Sequence, residues 1–142
     1  MATRPEEQAK RVLILDEEPF IRDTLKLNLA GHGFGAEFAG NEEEARRALS
    51  GPSPPACVIL DLLHSRLDAY RFLQWLRSQS RLGGVPVVIL TFKEKDPETT
   101  FTYNVWTQAY LAKPFAPQEV IARVAELVAQ AEASGRPKKE RF

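Results

Sequence analysis

The sequence predicts a doubly wound α/β domain, a five-stranded parallel sheet with helices on both faces. Three observations lead there. Short apolar runs alternate with helical patterns five times along the chain. The strongest runs are continuous in apolar character, as strands buried on both faces are. The length, 142 residues, suits one domain, since chains usually divide only beyond about 250–300 residues. A chain this long buries about two thirds of its unfolded surface and needs no metal or disulfide staple.

Residues 11–16 (RVLILD) form the first strand and end in an acid. From Glu18 to Ala30, Ile21, Leu25 and Leu29 recur every four residues, which is one helical face. Pro19 suits a first helical turn, where its missing N–H is not needed. Gly31, His32 and Gly33 stop this helix. Phe34 to Ala39 is the second strand. Asn41, with Glu44 three residues on, forms a reciprocal cap that opens a helix through Leu49. The GPSPP run at 51–55 is a loop. Ala56 to Leu60 is the third strand, followed by Asp61. Leu67, Tyr70, Leu73 and Leu76 mark a third helix that ends before Gly83 and Gly84, and Pro86 to Thr91 (PVVILT) is the fourth strand. Asp96-Pro97 is a good helix start, but the TTFTYNVW that follows has poor helix propensity and reads equally well as a strand. Ala109 to Ala112 is the fifth strand, closed by Lys113-Pro114. Val120, Ile121, Val124, Leu127, Val128 and Ala131 make the last helical stripe.

Nineteen Lys and Arg balance nineteen Asp and Glu, which disfavours general nucleic-acid or membrane-surface binding. The balance is uneven. Residues 134–142 (SGRPKKERF) carry four positive charges and one negative, leaving a net −3 on residues 1–133. Cys57 is the only cysteine, cannot form an internal disulfide, and fits a reduced cytoplasmic compartment. No apolar stretch approaches the roughly 20 residues of a membrane span. The opening MATRPEEQAK has no apolar core for a signal peptide. The expected division is an N-terminal tail at 1–10, a folded domain at 11–133, and a basic tail or linker stub at 134–142.

In such sheets ligands bind at the carboxyl ends of the strands. Asp16 and Glu17 close the first run, Asp61 the third, Thr91 the fourth and Lys113 the fifth, so parallel strands bring them to one edge. Crowded carboxylates raise one another's pKa unless a cation compensates. Hard oxygen donors point to Mg²⁺, which accepts one or two carboxylates and completes its shell with water and phosphate.

Four pieces, LDEEPFIR (15–22), VILDLL (58–63), VVILT (87–91) and YLAKPF (110–115), stand in order on these strand ends. With them the chain resembles the receiver domain of response regulators in two-component signalling, of the chemotaxis-regulator kind, from about Arg11 to Ala131. The resemblance implies a flavodoxin-like (βα)5 fold. It implies that Asp61 takes a phosphoryl group from a histidine kinase or phosphotransfer protein. Asp16, Glu17, Asp61 and the backbone carbonyl of Leu63 would hold Mg²⁺. Lys113 would pair with a phosphoryl oxygen, Thr91 would hydrogen-bond it, and Tyr110 would be an aromatic switch that turns inward. The segment from Asp96, the fifth strand and the last helix would form the partner or dimer face. Activity would be limited to slow self-phosphorylation and dephosphorylation, with no metabolic reaction.

Five positions depart from the usual motif. Glu17 replaces an aspartate, and its extra methylene moves the carboxylate outward, so it weakens the metal, reaches it through water, shifts it, or is tolerated drift. Ser65 replaces a proline. Ala69 replaces a glycine, which implies a reshaped loop or strain. Phe92 replaces a small residue and either shields the phosphorylation site, hinders a partner, or turns away onto the next helix. Trp106 stands where glycine is common and, with Phe101, Tyr103 and Tyr110, enriches that region in aromatics that are either interface anchors or core. His64 is expected to decorate its loop, His32 to cap a helix end, and Cys57 to fill core.

Two other functions compete. A degenerate receiver would bind partners without phosphorylation; the five departures motivate it, and Asp61, Thr91 and Lys113 oppose it. A flavodoxin-like enzyme or cofactor binder lacks support, because no glycine-rich phosphate loop follows Asp16. A phosphatase using Asp61 would want a second acid where Leu63 stands.

Overall fold

Each apolar run becomes a strand in the computed structural model, which describes residues 10–92 and 107–134. The order is β1 (Lys10–Leu15), α1 (Pro19–Ala30), β2 (Phe34–Phe38), α2 (Glu42–Leu49), β3 (Cys57–Leu60), α3 (Ala69–Ser78), a 3-10 turn at Ser80–Leu82, β4 (Val87–Thr91), β5 (Ala109–Ala112) and α4 (Pro117–Ala133). Lys10, expected in the N-terminal tail, begins β1, and Ser134 caps α4; residues 1–9 and 135–142 lie outside the described residues, as do the segment from Asp96 and its aromatics Phe101, Tyr103 and Trp106.

All strand pairs are parallel, and the sheet order is β2-β1-β3-β4-β5. This is the flavodoxin-like order, in which the winding reverses between β1 and β3. Side chains alternate between the two faces of each strand, and the core divides accordingly. Leu13, Leu15, Val58, Leu60, Val87 and Ile89 pack against α2 and α3. Val12, Ile14, Cys57, Ile59, Val88 and Leu90 pack against α1 and α4. Each fully buried aliphatic side chain contributes about 1.5–3 kcal/mol relative to its exposed state. Cys57 is core, as expected.

The helices follow their stripes, with two corrections. Ile21, Leu25 and Leu29 are buried on α1, and Val120, Ile121, Val124, Leu127 and Val128 on α4. On α3 the buried face is Ala69, Phe72, Leu73 and Leu76. Tyr70, expected on that face, is 45% exposed. Leu67 lies buried before the helix begins, so the stripe starts at Ala69. That residue is the second correction: it opens α3, where helical backbone requires no glycine, and Asp68 caps the turn by accepting from the Arg71 N–H at 3.0 Å. In the turn after α1 the left-handed residue is Gly33, with φ +83°, while Gly31, which caps the helix, remains right-handed.

Asn41 accepts a hydrogen bond from the Glu44 N–H at 2.8 Å. Glu44 returns one from the Gly40 N–H at 2.7 Å, one residue earlier than the usual reciprocal cap. Asn41→Ala should therefore lower stability by about 1 kcal/mol. Urea denaturation with an unchanged slope would report it; no change in midpoint would show that Glu44 alone caps α2.

Candidate functional site

The reversal between β1 and β3 leaves a crevice at the carboxyl edge, and the chain fills it with charge. Asp16 follows β1 and Asp61 follows β3, where the Asp61 N–H donates to the Leu15 carbonyl at 3.0 Å. Thr91 ends β4 and is fully buried. The Lys113 N–H donates to the Thr91 carbonyl at 2.8 Å, which sets the lysine just beyond β5. The Lys113–Pro114 peptide bond is cis. Tyr110 is buried in β5, with its Cα paired to Ile89 of β4.

The centre of the site is one nitrogen. Lys113 Nζ lies 2.7 Å from Asp16 Oδ2 and 3.0 Å from Asp61 Oδ2, with its side chain only 1% exposed. The other oxygens are also held. Asp16 Oδ1 accepts from the Glu18 N–H at 3.0 Å, and Asp61 Oδ1 from the Leu63 N–H at 2.8 Å. Burial raises the Asp16 pKa, against the opposing pull of Lys113. Burial also works against the Lys113 charge, but the hydrogen bonds to Asp16 and Asp61 outweigh it and the pKa is raised. The ammonium is thus charged throughout the neutral range.

The three adjacent acids diverge. Glu18, not among the sequence-predicted site residues, reaches 3.6 Å from Lys113 Nζ; its signal is the unbroken acidic run before Pro19. Glu17 turns to the β3–α3 loop, where its Oε1 accepts from the Ser65 N–H at 3.0 Å and its Oε2 from the Ser65 hydroxyl. These two bonds from Ser65 lower the Glu17 pKa. His64 is no loop decoration: it is buried, its Nδ1 accepts from the Arg66 N–H at 3.1 Å, and that atom lies 4.0 Å from Glu17. His32 Nδ1 lies 3.2 Å from the Asn28 carbonyl at the end of α1, in keeping with a cap.

Phe92 is 57% exposed, and Lys113 Nζ lies 5.1 Å from its ring centre, within range of a cation–π contact. Leu63 and Phe92, on the loops after β3 and β4, and Phe20, in the first turn of α1, are exposed apolar residues bordering the carboxyl edge.

The buried charges depend on Lys113. Lys113→Met should destabilise the fold at neutral pH by about 3 kcal/mol, because it leaves carboxylates buried and unpaired. In the variant, burial lifts the Asp16 pKa without the opposing pull of Lys113, so acidification neutralises the carboxylate and returns stability. The difference from the parent chain should narrow as pH falls towards about 4. Chemical denaturation at several pH values measures both effects.

The profile of the response regulator receiver domain matches residues 12–125. The response regulator Rre1 of Synechocystis is 36% identical over 124 residues, covering 87% of this chain and 53% of that protein. The response regulator MprA of Mycolicibacterium vanbaalenii is 30% identical over 83% of this chain and 50% of its own length. The chain thus spans about half the length of the curated relatives it matches. Among solved structures, the signal receiver domain of a histidine kinase from Syntrophus aciditrophicus superposes with a TM-score of 0.76 at 27% identity, over 94% of this chain and 98% of that one. A CheY-like receiver domain protein from Methanospirillum hungatei shares the fold with a TM-score of 0.78 at 21% identity, over 90% and 100% of the two chains. On the profile match, the relatives and the flavodoxin-like fold together, the chain belongs to the response regulator receiver domain family.

Proposed function

We infer that this chain is a phospho-accepting switch whose nucleophile is Asp61. The observation that carries the reading is the Lys113 ammonium held between Asp16 and Asp61 at the crevice of the parallel sheet. Receiver domains interact with histidine kinases or phosphotransfer proteins, and the transfer proposed here is a simple displacement. An Asp61 oxygen forms a new bond to phosphorus as the bond from phosphorus to the donor's histidine nitrogen breaks. Charge gathers on the phosphoryl oxygens, and a fixed ammonium placed there stabilises it without reorganising. Thr91, buried at the end of β4, is the hydroxyl assigned to bind a phosphoryl oxygen. Thr91 and Tyr110 are the pair assigned to relay the change to a partner face made by β5, α4 and the segment from Asp96. The receiver unit is assigned to residues 10–133, with β1 beginning at Lys10, one residue earlier than the sequence predicts.

Receiver domains generally bind Mg²⁺ at their acidic site. The donors here suit it: Asp16 and Asp61 are hard oxygen ligands, and their Oδ2 atoms already share one cation, the Lys113 ammonium. These two carboxylates and the Leu63 carbonyl are the groups that would hold the ion. When bound, Mg²⁺ would supply further positive charge for the phosphoryl oxygens. No helix among the described residues is long and apolar enough to cross a membrane.

A second reading, phosphorylation-independent binding, draws on one observation: Glu17 is engaged with Ser65 and not with Asp16 and Asp61. Intact-protein mass spectrometry after acetyl phosphate treatment separates the two. The switch requires a Mg²⁺-dependent gain of one phosphoryl group that Asp61→Asn abolishes. No gain from folded protein with either acetyl phosphate or a kinase donor would favour the second reading. Phe92→Ala should shorten the lifetime of the phosphorylated form roughly two- to fivefold, in keeping with a cation–π contact worth about 0.5–1 kcal/mol. Equal lifetimes would remove the ring's shielding role.

A further inference from the structure

The loop between β3 and α3 carries the Leu63 N–H that holds Asp61, so whatever fastens that loop also positions the nucleophile. Its backbone donors are occupied in succession. The Leu63 N–H goes to Asp61 Oδ1 and the His64 N–H to the Asp61 carbonyl at 3.2 Å. The Arg66 N–H goes to His64 Nδ1. These bonds stay within the loop. Ser65 differs, because its N–H and hydroxyl both cross to Glu17, on the loop after β1, 48 residues away in sequence.

We propose that Glu17 serves this site as a positioning residue, clasping Ser65 to hold the β3–α3 loop, and not as a ligand of the metal. The inference rests on the phospho-switch reading and refines it. Both Glu17 oxygens accept hydrogen bonds from Ser65. The metal is left to Asp16, Asp61 and the Leu63 carbonyl. Two departures from the family motif thereby become one matched pair. A proline at position 65 would have neither N–H nor hydroxyl to donate. An aspartate at position 17 would fall short by about one carbon–carbon bond, roughly 1.5 Å. The clasp requires the longer acid and the serine together.

Glu17→Gln distinguishes the two roles. A glutamine amide accepts from the Ser65 N–H through its oxygen and donates to the Ser65 hydroxyl through its nitrogen, so it preserves the clasp while removing the charge a metal ligand needs. The full chain and the variants Glu17→Gln, Glu17→Ala and Ser65→Ala would be titrated calorimetrically with magnesium chloride, and amide exchange at Leu63 and Ser65 followed by NMR. A positioning role predicts that Glu17→Gln retains the parent Mg²⁺ affinity to within about threefold and keeps the Ser65 amide protected. Glu17→Ala should weaken Mg²⁺ by about tenfold, as loss of an outer supporting group does, and should expose the Ser65 amide. Ser65→Ala should fall between. Glutamine weakening Mg²⁺ as much as alanine does would overturn the proposal, as would Mg²⁺ itself deprotecting the Ser65 amide in the parent chain. Failure of the parent chain to bind Mg²⁺ would count against the metal reading alone. The exchange data would then decide the clasp: loss of Ser65 protection in Glu17→Ala but not Glu17→Gln supports it, and unchanged exchange overturns it.

Discussion

One ammonium nitrogen, Lys113 Nζ, sits between two carboxylates that arrive from different strands, and the arrangement at the carboxyl edge depends on it. A buried charge is costly unless paired and hydrogen-bonded. Here the pairing is mutual: Lys113 makes Asp16 and Asp61 tolerable at that depth, and they hold it charged. Such a cluster adds little to stability compared with an apolar core. On the proposed reading its value is chemical: a carboxylate nucleophile kept beside a fixed positive charge.

The sheet supplies the rigidity that this contact needs. β1 and β3 lie side by side in register, so Asp16 and Asp61 are set by the same parallel ladder that buries Leu15 and Leu60. Lys113 enters from β5, two strands from β3, and reaches the crevice because β4 and β5 align Thr91 with Ala112. Strands with closely packed cores on both faces leave such side chains little freedom to drift. The loops above the edge are the adaptable part. Glu17 and Ser65 tie two of them together, and Phe92 leans from a third towards Lys113.

Much of this was legible in the chain itself. The continuous apolar character of 12–15 and 87–90 pointed to strands covered on both faces, and the polar residues closing the runs pointed to one edge. Where the reading erred, the missing information was spatial. Tyr70 falls on an apolar stripe only if Leu67 belongs to the same helix; α3 begins at Ala69, and the face rotates to Phe72. Ala69 suggested strain only while its backbone was assumed to belong to the loop. His64 looked superficial because a polar residue in a loop is usually exposed, yet the loop folds it inward and the Arg66 N–H meets its ring.

Sequence alone determined the alternation of strands and helices, the two-sided core, and the identities of Asp16, Asp61, Thr91 and Lys113 as the residues that close the strands at the carboxyl edge. These follow from periodicity and from side-chain chemistry, which are local properties of the chain. Tertiary structure alone decided the direction of each acid in the Asp16-Glu17-Glu18 run and what it meets. Asp16 turns to Lys113, Glu18 approaches the same nitrogen, and Glu17 crosses to Ser65. Neighbouring side chains on a turn point in different directions, and their partners come from loops distant in sequence. No local pattern encodes that choice, because it is made only when the strands that carry those loops are laid side by side.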